Sequence, residues 1–154
     1  MKKKYSIFHI DGGLGKHIAA TAVAKCIKNN YPDRELIVVC AWPQVFVELD
    51  FVHKVFRTGY TSYFYQDYIL DADSLIFKAE PYFTTEHIYK QKPLVENWCK
   101  LHQLEYKNEQ PTLRFNNIYL QIARVIWKYD KPPLVIQSNG GMFNDDKGLS
   151  YKWT

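Results

Sequence analysis

The stretch Tyr5-Ser-Ile-Phe-His-Ile-Asp-Gly-Gly-Leu-Gly-Lys-His-Ile18 joins two different periodicities across a glycine turn. Residues 5–10 are a short apolar run, the mark of a buried strand, and Gly12, Gly13 and Gly15 follow within four positions. Beyond them Ile18, Ala22 and Cys26, and likewise Ala19, Val23 and Ile27, recur every four residues. That spacing predicts a helix with one apolar face over residues 15–29. Tyr31-Pro32-Asp33 breaks it, and Leu36-Ile-Val-Val-Cys40 is a continuous run of the kind that forms a strand covered on both faces. Strand, helix and strand within roughly forty residues make a βαβ unit, with parallel strands and a right-handed crossover.

Working outward, Pro43 opens a short helix expected to reach Leu49, and residues 54–56 form a third strand closed by Gly59. Residues 60–68 are aromatic and polar without a clean period. Another strand is expected over residues 73–78, ended by Glu80-Pro81. Pro93 starts a helix that places Leu94, Trp98 and Leu101 on one face. Residues 111–115 read as extended, and Ile118, Ile122, Val125 and Ile126 mark a further helix. Asp130-Lys-Pro-Pro133 stops that helix, since two prolines cannot continue it. Residues 134–136 then form a strand that runs into a second glycine turn, Gln137-Ser-Asn-Gly-Gly141. The expected fold class is α/β, a Rossmann-like parallel sheet with helices on both faces. Residues 1–132 are one domain and residues 133–154 the start of a second, so a further domain is expected beyond Thr154.

Composition agrees with a packed domain: 47% of the 154 residues are hydrophobic and 16% aromatic, too apolar for a disordered chain. The net charge of +4 owes much to Lys2-Lys3-Lys4, read as a solvated terminus, with contact to an anionic membrane surface as the lesser reading. The other basic residues are mixed with acids and carry no aromatic-basic signature of a nucleic-acid module. Three widely spaced cysteines, Cys26, Cys40 and Cys99, fit buried thiols in a reducing compartment better than disulfides or zinc. With no signal peptide or membrane-length apolar run in view, the expected location is cytoplasmic.

The glycine turn admits three readings. It is a tight strand-to-helix turn, where glycine permits positive φ and close packing. It is a phosphate loop, but G-x-x-x-x-G-K-[ST] requires glycine at position 10 and a hydroxyl at position 17, where Ile10 and His17 stand. A dinucleotide fingerprint fails as well, because Ile18 occupies its third glycine position. The third reading is a resemblance. Gly12-Gly-Leu-Gly15, the helix, Tyr31-Pro32 and the strand to Cys40 resemble the start of glycosyltransferase family 9, the heptosyltransferase-like enzymes. Asp50-Phe-Val-His-Lys-Val-Phe56 is loosely similar to that family's Asn-Pro-x-Val-Asp-x-Val segment. Residues 133–141 resemble the first strand and turn of its second domain, and Tyr151-Lys-Trp153 the Lys/Trp element that follows.

The resemblance implies the N-terminal, acceptor-side half of a two-domain GT-B enzyme. Such an enzyme moves a sugar from a nucleotide-sugar donor to a glycan or lipid-linked acceptor, with no cofactor beyond the donor and no metal. Asp145-Asp146 is not the isolated Asp-x-Asp of metal-dependent GT-A enzymes. The family's base is an Asp directly after Leu-Gly, where this chain has Lys16, a poor base at neutral pH. Asp11 and His17 are the candidates to replace it, or Lys16 itself binds an acidic acceptor or the donor phosphate. Their structural alternatives are a turn-capping carboxylate for Asp11 and a solvent-facing helix residue for His17. Gly12, Gly13 and Gly15 would let substrate approach the backbone. On the donor side Asn139, Gly140 and Gly141 would offer N–H groups, and Lys147 or Lys152 would offset diphosphate charge. Tyr63, Phe64 and Tyr65 are either an acceptor-facing aromatic surface or core. Two rivals stand beside transfer: a non-catalytic sugar- or nucleotide-binding module that has lost its base, and a P-loop-type ATPase.

Overall fold

The computed structural model describes residues 2–127 and, beyond them, the backbone of residues 139–140 and 151–152. The chain divides into two compact units, Met1–Arg114 and Phe115–Thr154. The first unit is an α/β Rossmann-like domain built on a four-stranded sheet in the order β3-β2-β1-β4, with every pair parallel. Its strands are β1 (Lys4–Ile10), β2 (Glu35–Cys40), β3 (Lys54–Arg57) and β4 (Asp73–Phe77). The two central strands are the runs richest in Ile, Val, Leu and Phe, and they are buried on both faces, as their unbroken apolar sequence demands. The edge strands β3 and β4 are only partly covered. The register pairs Ile7 with Ile37 and with Ile76, so β1 is the axis of the sheet.

Alternation along the strands sorts the core into two layers. Phe8, Ile10, Leu36, Val38 and Phe77 pack against helix α1 (Leu14–Asn30) and helix α3 (Leu94–Leu101) through Ala20, Val23, Ile27 and Trp98. Tyr5, Ile7, Ile37 and Val39 face the other way and meet Tyr68, with Phe56, Phe64 and Ile69 around it. This second face is covered by the aromatic segment 60–71, whose helical part is a single π-type turn, Gln66–Leu70. Phe64 thus joins the core, whereas Tyr63 and Tyr65 are exposed. Cys26, Cys40 and Cys99 are buried, and burial pushes the Cys40 thiol up to about 12.

Elsewhere the helix expected from Pro43 is a single 3-10 turn, Pro43–Val45. Residues 111–115 carry no strand. A 3-10 turn, Pro81–Phe83, and the short helix α2 (Thr85–Ile88) precede α3. Asn97 is buried in α3 and its amide reaches Thr84 Oγ1 and, at 3.4 Å, the Pro81 carbonyl, so α3 anchors the turn that follows β4.

The second unit contains helix α4 (Asn117–Ile126), capped by Asn116, whose side chain accepts from Ile118 N–H at 2.9 Å. It also contains the two-residue strands β5 (Asn139–Gly140) and β6 (Tyr151–Lys152), paired antiparallel. The expected strand over residues 134–136, together with Gly141, Lys147, the Asp145-Asp146 pair and Trp153, lies outside the described residues. Among the described residues no helix is long and apolar enough to cross a membrane.

Candidate functional site

In a parallel sheet with helices, ligands bind beyond the carboxyl ends of the strands, where the strand order reverses. Here the chain leaves β1 toward β2 and β3, then returns to place β4 on the other side of β1. The reversal therefore falls between β1 and β4. The segments that leave those strands are the glycine turn after Ile10 and the turn through Glu80 after Phe77.

The glycine turn has one position where conformation requires glycine. Gly12 has φ +102°, and a Cβ there would come within 3.2 Å of Lys16 Cδ. Its carbonyl accepts a hydrogen bond from Trp42 Nε1 at 3.2 Å. Gly13, the residue before α1, has an extended φ of −78° that any residue adopts. A Cβ on Gly13 or on Gly15 would meet nothing within 4 Å. Residues 11–15 are all exposed. No side chain caps α1 and no acid sits in its first turn. The result is a bare backbone at the positive end of a seventeen-residue helix.

Lys16 turns away from the role a phosphate loop would give it. Its side chain is only 8% exposed and its ammonium forms an ion pair with Glu80. The Nζ lies 5.5 Å from the ring centres of both Tyr82 and Trp98, within cation–π range. The other oxygen of Glu80 accepts from Tyr82 N–H at 3.3 Å. Each end of the pair is thus fixed: Lys16 by α1 and two aromatic rings, Glu80 by the Pro81–Phe83 turn that Asn97 anchors. Burial, and then the Glu80 charge, raise the Tyr82 phenol above its ordinary value.

His17 is fully buried. Its Nε2 accepts from Ala41 N–H at 3.2 Å, which leaves Nδ1 protonated to donate to the Gly13 carbonyl at 2.9 Å. The ring packs edge-on against Phe46. Burial holds it below the usual imidazole range, against the pull of the Gly13 carbonyl. With both nitrogens spent inside the protein, His17 is a strut between the glycine turn and the end of β2. Asp11 is the opposite case: its carboxylate is 55% exposed, with Oδ2 3.5 Å from His9 Nδ1. The structure therefore gathers Asp11, Gly12, Gly13, Gly15 and Lys16 at one edge of the sheet. It puts the backbone of Asn139, Gly140 and Lys152 in the second unit.

Glu80 is the member of this group that sequence reasoning passed over, taking Glu80-Pro81 as the end of a strand. A carboxylate three residues beyond a strand is a usable signal only once that strand is known to lie beside β1.

The fold and this edge define an α/β Rossmann-like domain with an open glycine turn at its topological switch point. No protein-family model matches the chain, and comparison with curated proteins and with solved structures gave no match either.

Proposed function

We propose that the chain is the acceptor-side half of a metal-independent glycosyltransferase of the GT-B kind. It moves a sugar from a nucleotide-sugar to a glycan or lipid-linked acceptor in the cytoplasm, with Lys2-Lys3-Lys4 touching the membrane where the acceptor is lipid-linked. The observation that supports this reading is the exposed glycine turn at the β1/β4 switch point, where a Cβ on Gly13 or Gly15 would meet nothing within 4 Å. Asp11 is the base: an exposed carboxylate at the end of β1 that takes the proton from the acceptor hydroxyl. The freed oxygen bonds to the anomeric carbon as the bond to the diphosphate breaks, and the diphosphate leaves with the electron pair. The N–H groups at the start of α1 face the charge that develops. Asn139, Gly140, Gly141, Lys147 and Lys152 belong to the donor side in this scheme.

A specific observation favours a second reading. Where the resembled family keeps its Asp, this chain has a lysine already committed to Glu80. That arrangement suits a binding module without transfer. The same commitment weighs against the ATPase, whose lysine must be free to reach phosphate. The deciding experiment offers the full-length protein a panel of nucleotide-sugars with a lipid-linked glycan acceptor, following binding by calorimetry and turnover by release of nucleoside diphosphate. Transfer that Asp11→Asn lowers at least ~100-fold, with binding kept, supports the enzyme. Binding without turnover supports the module, and no binding to any donor or acceptor rejects both.

A further inference from the structure

On the face of the sheet away from α1 lies a cavity of about 340 Å³ that the transfer reading does not use. Its floor is made by Ile7 and Ile76, adjacent in register on β1 and β4, and its roof by Phe64. Two residues further on come His9, on β1, and Lys78, one residue beyond the end of β4, and both line the cavity. Thr58 and Thr61, just beyond β3, complete the lining at that end. The cavity is therefore apolar along the strands and polar at their carboxyl ends, the edge where such sheets take ligands.

The polar end is built from His9, Lys78 and the two threonines. His9 Nδ1 is buried without a hydrogen-bond partner, since the Asp11 carboxylate at 3.5 Å forms no hydrogen bond with it. Burial lowers the affinity of His9 for a proton, Lys78 lowers it further and Asp11 opposes both, so at neutral pH the ring is an uncharged hydrogen-bonding group. Lys78 is exposed and has no carboxylate partner among the described residues. An exposed ammonium and two hydroxyls thus rim an apolar floor, with the His9 ring in the lining and its Nδ1 buried on the Asp11 side. We propose that this cavity binds a small organic anion with a flat apolar body, the ring lying between Ile7, Ile76 and Phe64 and the anionic group meeting Lys78 and the threonine hydroxyls. The site stands whether or not the chain transfers sugar.

The test uses 1-naphthyl phosphate as the probe, with 1-naphthalenemethanol and 1-naphthylmethylammonium as neutral and cationic counterparts, followed by amide and imidazole NMR shifts of the full chain. Saturable shifts at His9, Thr58, Gly59 and Thr61 are expected, with the phosphate binding at least ~10-fold tighter than either counterpart. Lys78→Gln should remove that preference while leaving the weak binding of the neutral probe, and Ile76→Asp should weaken all three. Both positions are exposed, so both variants keep the fold. Shifts confined to α4 or elsewhere, equal affinity for the three probes, or a preference that survives Lys78→Gln would overturn the proposal.

Discussion

Lys16 carries a charge into a place where little water reaches, and it does so with a partner and two aromatic rings in position. Removing one member of such a pair leaves the other poorly solvated, which costs more than the pair itself contributes. Glu80 is 40% exposed, so water moderates the loss on its side. Lys16→Met should then destabilise the protein by about 2 kcal/mol and Glu80→Gln by about 1 kcal/mol. In urea unfolding the double variant should lose less than the sum of the two, the sign of direct coupling. The glycines separate in the same way. Gly12→Ala forces a side chain to φ +102° against the Lys16 stem, an expected cost of about 1–2 kcal/mol. Gly15→Ala meets no neighbour and should raise stability by a few tenths of a kcal/mol. If the bare backbone serves a ligand, that stabilised variant should bind donor or acceptor more weakly; unchanged binding argues that Gly15 has no part in the site.

At the scale of elements, α1 does more than bridge β1 and β2. Its far side holds the segment that follows α3. Asn30 donates to the Glu105 carbonyl at 3.0 Å and accepts from Glu105 N–H at 2.9 Å. Cys26 Sγ reaches the same carbonyl, Asn29 donates to Glu109, and Thr21 Oγ1 accepts from Thr112 N–H at 2.8 Å. A stretch without regular structure must satisfy its backbone somehow, and here side chains of one helix do it. Asn30→Ala should cost about 1–2 kcal/mol, and hydrogen exchange should speed at the Glu105 amide before it does in the sheet. Uniform exchange across the molecule would show that the segment is held by other means.

At the scale of the whole molecule, three histidines oppose acid. His102 packs against Phe8 and Phe77 and its burial pushes it down to about 4; burial is also the largest effect lowering His9 and His17. An unfolded imidazole titrates near about 6.5, so between these values the unfolded chain binds a proton that the folded chain refuses. Stability is therefore complete above about pH 6.5 and falls as pH drops toward about 4. Unfolding at about pH 7.5 and about pH 5 should differ by about 1–2 kcal/mol on account of His102, and His102→Phe should shrink the difference. The division of the chain also predicts that residues 1–114, expressed alone, unfold cooperatively within a few degrees of the intact protein.

The central strands and the long helix α1 were legible because β1 and β2 are continuous apolar runs and α1 repeats its apolar residues every four positions. Ile-Val-Val in β2 and the four-residue spacing in α1 needed no distant partner to be recognised. The 3-10 and π-type turns were not legible, since their conformation depends on what they cover: the turn at Gln66–Leu70 exists because Tyr68 fills the second face of the sheet. Half of the candidate edge followed from the glycine spacing. The other half, Glu80, is sixty-four positions from Lys16.

The sequence by itself determined the βαβ unit, the strand-to-helix glycine turn and the burial of both central strands, because periodicity and hydrophobicity act locally. Only the tertiary structure decided that β4 lies beside β1, that Lys16 is held by Glu80, and that His17 is a buried strut while Asp11 stays in water. Charge pairing and burial arise where distant segments meet, and no local pattern encodes which segments those are.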